Sequence, residues 1–169
     1  DSFFVFTYNL SFKKIFKPCS FYVLVCIHIN KAKERTIKMT SLNNEGRFVL
    51  AIRSLSQNIY QRILPLMPKF CDTAQEIRLR VNRPVAIVCP DTTYFLTEKG
   101  GLTNAILDGS MLTVSRGDLT DTFHNICNYS VYSKQSEIIN GFVSMHGGHR
   151  AGICGTAICE GDKVINIRD

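Results

Sequence analysis

Apolar residues recur at three- to four-residue spacing across residues 47–64: Phe48, Ile52, Leu55, Ile59 and Ile63. That period places them on one helical face, and Pro65 and Pro68 mark its expected end. The period then changes. In Glu76-Ile77-Arg78-Leu79-Arg80-Val81 the residues Ile77, Leu79 and Val81 alternate with Glu76, Arg78 and Arg80, which predicts a strand with one buried and one polar face. Asn82-Arg83-Pro84 is a turn signal. Residues 85–88 are continuously apolar and predict a second, more buried strand; residues 94–97 predict a third, and Gly100-Gly101 closes the group. Residues 111–114 predict a further strand. Ser115 and Asp118 have the spacing of a capping box, opening a helix with Leu119, Phe123, Ile126 and Cys127 on its apolar stripe. That helix is expected to break near Asn128-Tyr129-Ser130. A second short helix over 131–139 then ends at Asn140-Gly141, which suits a left-handed cap. From Gly141 the period returns to two, with turns at Gly147-Gly148 and Glu160-Gly161-Asp162, as in a β-meander. The order predicts an α+β fold: an N-terminal helix, a small mixed or antiparallel sheet with helices on one side, and a glycine-rich meander. No internal repeat or low-complexity segment interrupts it.

Composition changes this picture at one end. The formal charge of +6 would suit a nucleic-acid or membrane partner. Residues 1–38, however, hold seven Lys/Arg against two acids, whereas residues 39–169 hold thirteen against twelve. The near-neutral body argues against a surface that tracks phosphates. The first Met is Met39, and the apolar run Phe21-Tyr22-Val23-Leu24-Val25-Cys26-Ile27-His28-Ile29 follows Lys13, Lys14 and Lys17. The run is too short to span a bilayer, and Asn30-Lys31-Ala32-Lys33-Glu34-Arg35 stands where cleavage-site residues would be. Three readings of this leader are open: sequence upstream of a start at Met39, which is favoured and makes 1–38 non-native or disordered; a membrane-surface anchor; and a signal peptide. The domain proper is then 39–169. Seven cysteines without a CxxC pair give no zinc spacing and suit a reduced, intracellular protein.

Candidate chemistry is sparse. Arg78 and Arg80 share a strand face with Arg83 in the turn beyond: either a solvated face partnered by Glu76 or an anion-facing arginine row. Gly141, Gly147, Gly148, Gly152 and Gly155 allow close backbone approach but lack the Lys-Ser/Thr of a P-loop. His149-Arg150 could contact a phosphate or orient a water, or the histidine could cap local carbonyls. No Ser/His/acid triad and no metal-spaced cluster is present. Tyr129, Tyr132 and Phe142, interleaved with Lys134 and Arg150, could stack bases, so a stand-alone nucleic-acid-binding or regulatory module is the alternative class.

The motifs Glu76-Ile77-Arg78-Leu79-Arg80-Val81-Asn82-Arg83-Pro84, Asn128-Tyr129-Ser130-Val131-Tyr132, Gly141-Phe142, Gly147-Gly148-His149-Arg150-Ala151-Gly152, Gly155 and Asn166-Ile167-Arg168-Asp169 occur in this order. Together, over residues 47–169, they closely resemble the stage III sporulation protein AA family of endospore-forming Firmicutes, which looks like the hexameric ATPases of type II and type IV secretion. The resemblance implies an N-terminal α+β domain followed by a RecA-like ATPase domain that uses ATP and Mg. It also implies a homo-oligomeric ring in the mother-cell cytoplasm, at or near the membrane. The partners it implies for the ring are membrane-embedded sporulation channel proteins, with no specific nucleic acid. The sequence stops where that ATPase domain would begin, so this chain is expected to be a truncated front part without catalytic residues. It should neither hydrolyse ATP nor bind the cofactors tightly. The motif positions carried over are Arg78, Arg80, Arg83, Gly147, Gly148, His149 and Arg150, with domain packing, subunit contact or reach toward a nucleotide as their implied roles.

Overall fold

The computed structural model describes residues 24–29, 44–106, 109–154, 156–160 and 163–168. The stripe from Phe48 to Ile63 forms two helices, α1 (Asn44–Ile52) and α2 (Gln57–Ile63), rather than the single expected one. The break has a local cause: the Ser56 side chain accepts from Ile59 N and starts α2 afresh. The prolines do not end the helical region either. Pro65 and Pro68 open a 3-10 turn (Leu64–Leu66) and α3 (Met67–Phe70), at first-turn positions where no N–H is needed.

Seven strands form one sheet in the order β5-β4-β3-β2-β1-β7-β6, and every pairing in it is antiparallel. The strands are β1 (Leu24–His28), β2 (Glu76–Arg80), β3 (Ala86–Val88), β4 (Thr93–Leu96), β5 (Leu102–Thr103), β6 (Phe142–Ser144) and β7 (Arg150–Cys154). Residues 111–114, expected as a strand, lie across the end of this sheet. They touch it through the bridges Pro84↔Thr113 and Thr97↔Met111 and the bond from Val85 N to Leu112 O. The glycine-rich meander divides. Its first half, β6 and β7, joins the large sheet, while β8 (Thr156–Glu160) and β9 (Lys163–Arg168) make a separate two-stranded sheet beside α5 (Gln135–Ile139).

The largest difference from the sequence reading is β1. The run that resembled a signal peptide's apolar region supplies Leu24–His28, with β2 on one side and β7 on the other. Its alternation explains the fit: Val25 and Ile27 are fully buried while Cys26 and His28 face the opposite side. Residues 1–23 and 30–38 of the expected leader, and Met39 after them, lie outside the described residues.

One core lies on one face of the sheet. Val25, Ile27, Ile77, Leu79, Ile87, Leu96, Val143, Ala151 and Ile153 meet Phe48, Ile52, Ile59, Ile63, Phe70, Leu119 and Ile126 from the helices. Helix α4 (Arg116–Ile126) begins at the expected capping box and ends before two left-handed residues, Asn128 (φ 50) and Tyr129 (φ 58). Gly141 (φ 83) closes the following short helices, as its position predicted.

Candidate functional site

The motif residues separate onto two sides of the sheet, because successive residues of a strand point opposite ways. Arg78, Arg80 and Arg150 stand on the face away from the core and are exposed. The register places Cys26 beside Arg78, and His28 between Glu76 and Arg150. Arg150 therefore sits two strand spacings from the β2 row, roughly 10 Å. Its guanidinium lies 5.4 Å from the centre of the Phe142 ring. Arg83 is exposed in the β2–β3 turn.

Arg78 is held by Glu76. Its Nε donates to Glu76 Oε2 at 2.9 Å and its terminal nitrogen lies 2.7 Å from the same oxygen. Burial alone would raise the Glu76 pKa. The hydrogen bonds from Arg78 and Cys26, together with the Arg78 charge, outweigh that and hold it below the usual carboxylate range. Cys26 moves the other way: burial first, then the Glu76 charge and hydrogen bond, push its thiol far up. It stays protonated as a donor to Glu76 and is no nucleophile at neutral pH. Cys71, Cys89, Cys127 and Cys154 are also free thiols.

His149 turns inward and is 1% exposed. Its Nε2–H donates to Arg47 O at 2.8 Å, and the Arg47 guanidinium donates back to Gly147 O at 3.0 Å. These two bonds clamp α1 to the β6–β7 turn. Burial lowers the His149 pKa, and the Arg47 charge adds to this; backbone bonding to Arg47 and His28 opposes it. Gly147 has φ +79, and a Cβ there would stand 3.0 Å from His149 Nε2 and 3.2 Å from Leu50 Cδ1. The pair is thus a packing unit inside this domain. Arg47 went unnoticed in the sequence, because its partners lie 100 and 102 residues away.

Beside the clamp, Arg53, Lys134 and His146 share an open cleft with Asn125, Asn128 and Ser144. Lys134 is neutralised there by Glu137 at 2.7 Å. At the cleft's rim the left-handed pair Asn128-Tyr129 sends Tyr129 into solvent, and Tyr132 follows, at 79% and 93% exposure. Among the described residues no three His, Cys, Asp or Glu are grouped to hold a metal ion. Nor is any helix there long and apolar enough to cross a membrane.

The model of the family described as sporulation stage III, protein AA, matches residues 43–169. The chain belongs to that family. It is 33% identical over 95 residues to the stage III sporulation protein AA of Bacillus subtilis (strain 168). That alignment takes in 56% of this chain and 26% of the relative, so the chain spans about a quarter of the relative's length. No solved structure matches. The family match holds every motif residue named above and both sides of the sheet that carries them, but it begins after β1.

Proposed function

We propose that this chain is the N-terminal α+β part of a mother-cell, secretion-type sporulation ATPase, and that it positions subunits in a homo-oligomeric ring. ATP and Mg would be bound, and phosphate transferred, by a RecA-like domain C-terminal to these residues. The ring would serve membrane-embedded sporulation channel proteins from the cytoplasmic side. The observation that carries this reading is the family match over residues 43–169, joined to a relative whose length is far from exhausted by the alignment.

The state of the side chains supports a recognition role for this part. Phosphoryl transfer relies on a phosphate cradle, a metal and a positioned base. Here the thiol at Cys26 is locked by Glu76, Glu76 is held ionised by Arg78, and His149 is enclosed. Arg80, Arg83 and Arg150 are exposed guanidinium groups suited to a carboxylate or phosphate on a neighbour. Tyr129 and Tyr132 are exposed aromatics of the kind that anchors protein interfaces.

Two measurements test the proposal. The purified chain should turn over no ATP above a buffer control, and turnover would overturn the assignment of catalysis to another domain. In a chain extended to the length of the Bacillus subtilis relative, ring formation should be visible by sedimentation. Arg150→Glu or Tyr132→Ala should weaken it roughly tenfold or more, as loss of an interface anchor does. Rings unaffected by both substitutions would remove these two residues from the contact.

A further inference from the structure

β1 is an inserted strand. It pairs over its whole length with β2 on one edge and β7 on the other, and among the described residues no other strand connects β5-β4-β3-β2 to β7-β6. Its core-facing residues Val25, Ile27 and Ile29 are 0%, 0% and 8% exposed, so the position is filled and sealed. Both walls of that position lie inside the family match at residues 43–169, and the strand that fills it lies outside. The slot thus belongs to the family's domain, and the filling is supplied from elsewhere in sequence.

We propose that the gap between β2 and β7 is a strand-accepting binding site, and that its ligand is an extended peptide apolar at three alternate positions. In this chain residues 24–29 are that ligand, held in cis. Two antiparallel ladders give affinity through main-chain bonds that any sequence can make. Selectivity comes from the side chains. One face must present aliphatic groups where Val25, Ile27 and Ile29 stand, against Ile77, Leu79, Ala151 and Ile153. The middle residue of the other face meets Gly152 across one ladder and Arg78 across the other, with the Glu76 carboxylate within hydrogen-bond reach. A small donor fits there, as the Cys26 thiol does. A long or acidic residue would meet Glu76 and lose the site.

The test uses the full chain with a protease site placed between residues 30 and 44. After folding and cleavage, the N-terminal piece should co-elute with the body. A labelled peptide with the sequence of residues 21–30 should exchange into the body in its place. The same peptide carrying Ile27→Asp should be captured at least ~100-fold more weakly, since its charge would have to be buried. Domain-swapped dimers of the uncleaved chain that give way to monomer when excess peptide is added would support the site equally. Two results overturn the proposal. In one, the piece leaves on cleavage while the β2 and β7 amides keep their chemical shifts and no peptide is bound. In the other, the piece stays but never exchanges with peptide at any denaturant concentration below unfolding, which makes β1 an ordinary internal strand.

Discussion

Gly147 and His149 are two residues apart and solve one problem together. The ring can lie flat under the turn only where Cβ is missing, and the turn needs a positive φ as well. Gly147→Ala should therefore cost more than backbone strain alone, about 2–4 kcal/mol in urea unfolding. Gly100→Ala is the matched comparison: φ is +80 but nothing lies within 4 Å, so about 1 kcal/mol is expected. Equal losses would mean that contact with the ring is unimportant. The same ring sets a pH dependence. Its folded pKa lies below the ordinary value of 6.5, so near and below that pH the unfolded chain takes up a proton that the folded one resists. Stability should be full above about pH 7, fall as pH drops through 6.5, and level off below the folded pKa. His149→Gln should flatten that step in a series of unfolding curves between pH 7.5 and 5. The sequence offered His149 with Arg150 as a pair, and the pleat separates them: one is core and the other surface. Alternation along 149–154 was legible, but which parity faced inward depended on partners far away in the chain.

At the next scale, the junction of α2 and α4 depends on one carboxylate. Asp118 accepts from Ser115 N and Oγ at 3.1 and 2.6 Å, from Ser56 Oγ at 2.7 Å and from Asn58 Nδ2 at 3.3 Å. Thr122 extends the contact, donating to Asp118 O and accepting from Ser56 N. Burial would raise the Asp118 pKa, but the bonds from Ser115, Ser56 and Asn58 prevail and lower it. Asp118→Ala should destabilise by about 2–4 kcal/mol, the range for a buried, charged acceptor that leaves several donors unpaired. Ser56→Ala in that background should cost much less than in the native chain, and a double-mutant cycle reads the difference. The contribution is present above the unfolded carboxylate pKa of about 4 and is lost as pH falls through the lower folded value. The local half of this junction, Ser115 with Asp118, was written in the sequence because a capping box is a three-residue pattern. The other half was not: Ser56 lies 62 residues from Asp118, and no period links them. The same limit explains the helix over 47–64. Its stripe continues through the break, so only the cap at Ser56 reveals two helices.

For the whole molecule, the α+β class and the antiparallel strands from Glu76 to Leu96 followed from alternation and turn residues, because neighbours in that part of the sheet are also neighbours in sequence. The position of β1 did not. A nine-residue apolar run behind lysines fits a signal-peptide pattern as well as a strand, and its place in the sheet is read only from the ladders to β2 and β7. That topology has a consequence in time. The first strand of the sheet bonds to one of its last, so β1 cannot be fixed until nearly all of the described chain is available. Long loop closures are slow to be compensated by contacts. The β2–β3–β4 meander, with its short connections, should acquire hydrogen-exchange protection early in refolding. The amides of β1, β6 and β7 should follow together in a later phase, and pulse labelling would resolve the two. On a ribosome the same order leaves the edge of β2 opposite β3 unsealed, so the interval before β7 emerges is when this chain is most open to pairing with another.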